Sequence, residues 1–175
     1  MLRELVGFDP DKDSLDFILS KTDIPENPDL VSIDIDGNDW HIWHSLKKYH
    51  PRVVIIEFNP TVPNDVLFVQ RRDFHEAQGC SLRALIALGK SKGYELACTT
   101  TYNAIFVAAA DFPKLGIRDN SINAMYRPLM DGRIFHGYDS KIFTVGMPKL
   151  NWISADRGVT DRPIRHDELQ LPSTH

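Results

Sequence analysis

Two aspartates, Asp34 and Asp36, close an apolar run and open a glycine turn in the stretch Leu30-Val31-Ser32-Ile33-Asp34-Ile35-Asp36-Gly37-Asn38-Asp39-Trp40. A second apolar run, Arg52-Val53-Val54-Ile55-Ile56-Glu57-Phe58, ends in Glu57 and, two residues later, Asn59. In open parallel sheets, ligands bind just outside the carboxyl ends of the strands. If the two runs are neighbouring parallel strands, the side chains of Asp34, Asp36, Glu57 and Asn59 converge on one crevice. Oxygen donors of this kind suit a hard divalent cation such as magnesium, with Asp34, Asp36 and Glu57 as ligands. A carboxylate at that place can also orient or deprotonate a substrate hydroxyl. The four residues are therefore the candidate catalytic set. Part of the pattern is also ordinary turn chemistry, and Asp39 suits the positive end of a following helix. Turn chemistry does not account for a carboxylate at Asp34. On a regular strand Asp34 and Asp36 share a face and Ile35 takes the other.

Three further groups carry less. His41 and His44 are three apart and share a helix face, but Lys47 and Lys48 accompany them, and a solvated face is the expectation. Arg71-Arg72 with His75 can grip a carboxylate or phosphate, yet a doublet in a polar stretch reads first as exposed charge. Cys80 and Cys98 have no zinc or CxxC spacing and read as free, mostly buried thiols. No GxGxxG or similar glycine-rich strand-to-helix turn is present.

The elements that must position these residues are legible in outline. Asp13-Ser14 caps a short helix with Leu15, Ile18 and Leu19 on one face. A strand over about 30–35 and a helix over about 39–49, with Ile42, Leu46 and Tyr49 inward, lead to the strand at 52–58. The second strand is continuously apolar, as for a parallel strand buried on both faces. Strand, helix, strand makes a βαβ unit. The long stretch over 60–79 reads equally as a substrate loop or lid and as a mobile surface insertion. Ser81 caps a helix carrying Leu82, Leu85, Ile86 and Gly89 on its buried face, and Gly93 ends it. Residues 94–98 and 103–108, joined by a short connection, form an antiparallel hairpin. Beyond Pro113 the pattern loosens, with a short strand at Ile142-Phe143-Thr144-Val145 and a polar tail from about Ser154. The expected organisation is one domain over 1–115 and an irregular extension over 116–175.

At 175 residues, 42% hydrophobic and 25% charged, the chain has the composition of a globular protein with a sizeable core. A net charge of −4 gives no general attraction to nucleic acid or anionic membrane, so neither is an expected partner. No segment reaches the roughly 20 apolar residues that span a bilayer. The start, Met1-Leu2-Arg3-Glu4-Leu5, lacks a signal-peptide run, and the expected location is cytoplasmic.

Val31 to Asp39, Arg52 to Pro60, Gly93-Tyr94 and Asn103-Ala104-Ile105-Phe106-Val107 together resemble the FkbM-type methyltransferases. The DIDGND and EFNP pair is fairly specific in combination. The likeness covers roughly residues 25–115, and Asp119-Asn120-Ser121 and Arg133 to Asp139 also look similar. This resemblance implies S-adenosylmethionine as cofactor and a small-molecule or glycan acceptor. It implies a fourth strand, helix, fifth strand, helix and antiparallel hairpin of a class I fold. The expected fold class is thus α/β, a Rossmann-like partial parallel sheet ending in an antiparallel hairpin. The family's first strand and glycine-rich turn have no counterpart before Asp34, so the chain reads as the C-terminal half of that fold. Asp34, Asp36, Glu57 and Asn59 then lie near the methyl acceptor. A half-sheet leaves the edge of the 30–35 strand open, which predicts self-association or a partner chain.

Three other readings compete. Asp34-Ile35-Asp36-Gly37 also fits the first motif of a haloacid-dehalogenase-like phosphohydrolase, with Asp34 as nucleophile, Asp36 as general acid and magnesium beside them. Asn38 stands there in place of the motif's threonine. An Asp-x-Asp can serve a glycosyltransferase through a metal and a sugar diphosphate. A non-catalytic half-domain acting in binding or assembly is the fourth.

Overall fold

The structure, a computed structural model, describes residues 3–127, 133–139 and 142–145. The chain divides into two compact units between Arg127 and Pro128. The first unit contains α1 (Leu15–Leu19), β1 (Leu30–Ile33), α2 (Asp39–Ser45), β2 (Val53–Glu57), α3 (Leu82–Ser91), β3 (Tyr94–Thr99), β4 (Asn103–Ala108), a 3-10 turn at Phe112–Leu115, and α4 (Ile122–Met125).

Its four strands form one sheet in the order β1-β2-β4-β3. β1 and β2 are parallel, with Leu30 opposite Val53 and Ile33 opposite Ile56. β4 lies between β2 and β3 and is antiparallel to both. The fold is α/β with a mixed sheet, and only one of its pairings is parallel. A tight turn dictates the reversal: the Thr100 hydroxyl accepts the Asn103 N–H at 2.9 Å, and the chain doubles back. β1 stands at the sheet edge, with no strand on its other side among the described residues.

Helix ends follow local chemistry. The Ser14 hydroxyl accepts the Phe17 N–H at 3.2 Å and starts α1. The Ser81 hydroxyl accepts the Ala84 N–H at 3.1 Å and starts α3. Gly93, at φ 84°, turns the chain from α3 into β3. α2 is shorter than its apolar period suggests. Leu46 is already extended, and the Asp16 carboxylate of α1 takes the next amides, Lys47 N–H at 2.6 Å and Lys48 N–H at 3.1 Å. A carboxylate from another element thereby replaces the last helical turn, while Leu46 and Tyr49 still reach the core.

α2 and α3 pack on one face of the sheet. Trp43 is fully buried and meets Phe106 of β4 at 4.9 Å and Tyr94 of β3 at 5.7 Å between ring centroids. Gly89 of α3 lets this layer close: a Cβ there would stand 2.9 Å from the Phe106 ring. Along β2 burial alternates, with Val54 and Ile56 fully buried and Val53 and Ile55 only half-buried. The expected burial on both faces therefore holds for one. The thiols also differ. Cys80 is buried, but the register shift between Leu96 and Cys98 leaves Cys98 exposed.

The second unit holds an antiparallel hairpin, β5 (Arg133–His136) with β6 (Ile142–Val145). β6 is the short strand expected at 142–145, and its partner lies in the stretch expected to be irregular. The polar tail from Ser154 lies outside the described residues. No helix among the described residues is long and apolar enough to cross a membrane.

Candidate functional site

β1 ends at Ile33, so Asp34 is the first residue past the strand rather than part of it. Asp36 sits in the left-handed region at φ 57°, followed by Gly37 at φ 139°. Asp tolerates such a backbone through its short polar side chain, and Gly needs no tolerance. Asp34 and Asp36 are thus not aligned by strand alternation, as the sequence spacing suggests. A left-handed turn brings them together.

Parallel pairing puts Glu57, the last residue of β2, beside that turn. One carboxylate oxygen each from Asp34, Asp36 and Glu57 lies within 4.8 Å of the others. The two aspartates are exposed and Glu57 is half-buried. Glu57 is pushed up to about 7, first by its burial and then by the neighbouring charges of Asp39, Asp34 and Asp36. A glutamate in this range exchanges a proton near neutral pH and accepts one from a substrate hydroxyl more readily than an ordinary carboxylate. Three carboxylate oxygens at such spacing also fit a hard divalent cation, which would offset their mutual repulsion.

Asn59 is engaged elsewhere. Its amide N–H donates to the Gln78 carbonyl at 2.8 Å, and its Oδ1 accepts the Thr61 N–H at 2.9 Å and the Thr61 hydroxyl at 2.7 Å. It anchors the loop that leaves β2.

Two residues build the site in roles that the sequence pattern does not show. Asp39, only 2% exposed, folds back from the first turn of α2 over the glycine turn. It accepts the Ile35 N–H and the Gly37 N–H, both at 3.0 Å. Burial raises its pKa, and the two backbone bonds pull it back. The available signal was an aspartate three residues after Asp36 in a turn, a spacing that allows a carboxylate to reach back to turn amides. Gln70 is the second. Its Oε1 accepts the Gln78 and Gly79 N–H groups at 2.7 and 2.8 Å, and its Nε2 donates to the Glu76 carbonyl at 2.9 Å. No local pattern announces a buried glutamine in a loop.

Through Gln70 the 60–79 stretch becomes a wall of the site. Asn38 donates its side-chain N–H to the Asp73 carbonyl at 2.9 Å, and His41 Nε2 meets the Gln70 carbonyl at 2.8 Å. A Cβ on Gly37 would stand 2.8 Å from Gln70 Oε1, so the turn and the loop touch. His41 and His44 are half-buried rather than solvated: His41 bonds the loop, and His44 stacks on Trp40 at 4.7 Å. Burial lowers the pKa of both. Arg71 and Arg72 are exposed, Arg71 pairing with Glu76 and Arg72 lying 5.2 Å over the Phe8 ring. Comparison with protein-family models, with curated proteins and with solved structures finds no match to this chain.

Proposed function

We propose that the carboxyl end of β1 and β2 is the acceptor side of an adenosylmethionine-dependent methyltransferase site of the FkbM type, built on a Rossmann-like half-sheet. The observation that carries this is the convergence of Asp34, Asp36 and Glu57 at adjacent parallel strand ends, with Glu57 near 7. The element order strand, helix, strand, helix, antiparallel hairpin supports it as well. Glu57 is the group suited to take a proton from an acceptor hydroxyl, and Asp34 and Asp36 are suited to hold a cation or the acceptor's hydroxyls beside it. No described strand-to-helix turn is glycine-rich, so no residue among those described is assigned to the adenosyl group, and no step is assigned to that cofactor.

The Asp34-x-Asp36 pair with Glu57 also favours a second reading, a magnesium-dependent phosphohydrolase with Asp34 as nucleophile. Calorimetry with adenosylmethionine, run beside hydrolysis of p-nitrophenyl phosphate with magnesium, separates the two. Saturable heat supports the methyltransferase reading. Its absence, with magnesium-dependent hydrolysis that Asp34→Asn abolishes, replaces it by the phosphohydrolase. Silence in both overturns both and leaves a binding or assembly module.

The cluster has its own pH signature. Unfolding returns Glu57 from about 7 to an ordinary carboxylate value near 4.5. The folded state then binds more protons than the unfolded one between those values, so stability falls as pH rises through that window. Above it the penalty is constant. With solvent screening allowed for, its size is on the order of 1–2 kcal/mol. Glu57→Gln removes it and is expected to raise stability at pH 8 by that amount, with little change at pH 4. Magnesium is expected to raise the wild-type melting temperature at pH 8 more than at pH 6, because protons compete for the same oxygens. Urea melts with a pH-independent difference between variant and wild type would contradict the assignment of Glu57.

A further inference from the structure

Behind α3 the first unit holds a cavity of about 730 Å³, open to solvent and sharing no residue with the acidic cluster. Its size falls in the roughly 300–1,000 Å³ range of small-molecule sites. Three cations line it, Arg83 and Lys90 on α3 and Arg118 on the segment leading to α4, together with two carboxylates, Asp65 and Asp119. The balance is one net positive charge in a chain whose total is −4.

The walls are tied to one another. Arg83 donates to the Asp65 carbonyl oxygen, which fixes the guanidinium without neutralising it. The Asn64 amide N–H groups bond Asn123 Oδ1 at 3.0 Å and the Tyr126 carbonyl at 3.2 Å, joining the loop to α4. Asn120 donates to Glu95 of β3 at 2.7 Å. Asp119 turns its carboxylate back to accept the Ser121 N–H at 2.9 Å. Among the described residues, Arg83, Lys90 and Arg118 have no carboxylate within ion-pair distance. Three cations outside ion-pair distance of the two carboxylates leave the concavity one net positive charge, which favours an anion, and guanidinium and ammonium groups offer a phosphate charge-assisted bonds. The remaining lining residues are asparagines, Ser121, two carboxylates and the apolar Ile86 and Ile122, so polar groups and carbon surface share the wall about equally. The polar groups bond hydroxyls, and the apolar share of the wall suits the C–H face of a short carbon skeleton.

We propose that this cavity binds a phosphorylated polyol: a phosphate monoester held by Arg83, Lys90 and Arg118, on a hydroxyl-rich carbon chain that bonds Asp65 and Asn123. The proposal does not rest on the methyltransferase reading.

Calorimetric titration of the whole chain with glucose 6-phosphate, glucose and inorganic phosphate tests it. Glucose 6-phosphate is expected to bind saturably, inorganic phosphate several-fold more weakly, and glucose without measurable heat. The double variant Lys90→Gln/Arg118→Gln is expected to weaken glucose 6-phosphate about tenfold, the loss of two charge-assisted contacts. Both residues are exposed and outside the core, so the variant keeps the wild-type melting curve. If it does not, Lys90→Gln alone, with an expected weakening of about threefold, serves in its place. No saturable heat with glucose 6-phosphate up to about 10 mM overturns the proposal. So does binding that the charge-removing variants leave unchanged, or inorganic phosphate binding as tightly as the ester.

Discussion

Asp39→Ala is expected to cost about 2–4 kcal/mol of stability and to abolish the pH-dependent response to magnesium. The carboxylate is 2% exposed and takes two backbone N–H groups, those of Ile35 and Gly37, at 3.0 Å each. Alanine leaves both without a partner, and each unsatisfied buried donor costs about 1–3 kcal/mol. Gly37 is itself buried, so its N–H bears the larger share, whereas water reaches the half-buried Ile35 more easily. Removal of a buried charge returns part of the loss. The functional consequence exceeds the energetic one. Asp39 clamps the turn in which Asp36 holds φ 57°, and that turn brings Asp36 beside Asp34 and Glu57. Asp39→Asn keeps one acceptor oxygen and is expected to lose about half as much. A second readout separates clamp from charge. Asp39 is the leading charge among those that push Glu57 up, so the Glu57 titration followed by NMR is expected to move down toward an ordinary carboxylate in both variants. Urea denaturation showing a loss under about 0.5 kcal/mol for Asp39→Ala would remove Asp39 from its role as the clamp.

What the sequence reveals and conceals about this site divides along the range of the interactions involved. Ser14, Ser81 and Gly93 mark helix ends through bonds or dihedrals within a few residues of themselves, and the structure has them where the pattern puts them. The parallel pairing of β1 with β2 follows from a short strand–helix–strand unit, and it sets Glu57 beside the turn that carries Asp34 and Asp36. The position of β4 between β2 and β3 is a matter of sheet packing that no local pattern encodes. The early end of α2 has the same character, because Asp16, from another helix, takes the amides that a further turn would have used. At the site, residue types were legible and conformation was not. Asp34 and Asp36 read as neighbours on a strand, but they meet through a left-handed residue held by a buried carboxylate three positions on. Cys98 shows the reverse case: apolar neighbours suggest burial, and a one-residue register shift exposes it.

Gln70→Ala is expected to destabilise the first unit by about 2–4 kcal/mol and to loosen the wall over the acidic cluster. Gln70 is 2% exposed, and its side chain serves four backbone groups of one loop. It accepts from Gln78 and Gly79, and it donates to the Glu76 and Asp73 carbonyls at 2.9 and 3.3 Å. Truncation strands two donors and two acceptors and leaves a void where the amide stood. The donors carry most of the cost, since carbonyls in the same loop find water more easily. The loss is expected to be local in its dynamics. Amide exchange should accelerate over 70–79 and around Asn38 and His41, whose side chains bond the Asp73 and Gln70 carbonyls. It should leave β2 and β4 unchanged, because their pairing does not pass through the loop. Gln70→Glu sharpens the test. Its carboxylate still accepts the Gln78 and Gly79 amides but cannot donate to Asp73 or Glu76, and it adds a negative charge where Gly37 touches the loop. If Gln70 acts through the donors it satisfies, the glutamate variant regains much of the lost stability at pH 8. If the two variants are equally destabilised, the carbonyl bonds hold the loop instead, and the amide end of Gln70 governs how closely the wall approaches Gly37.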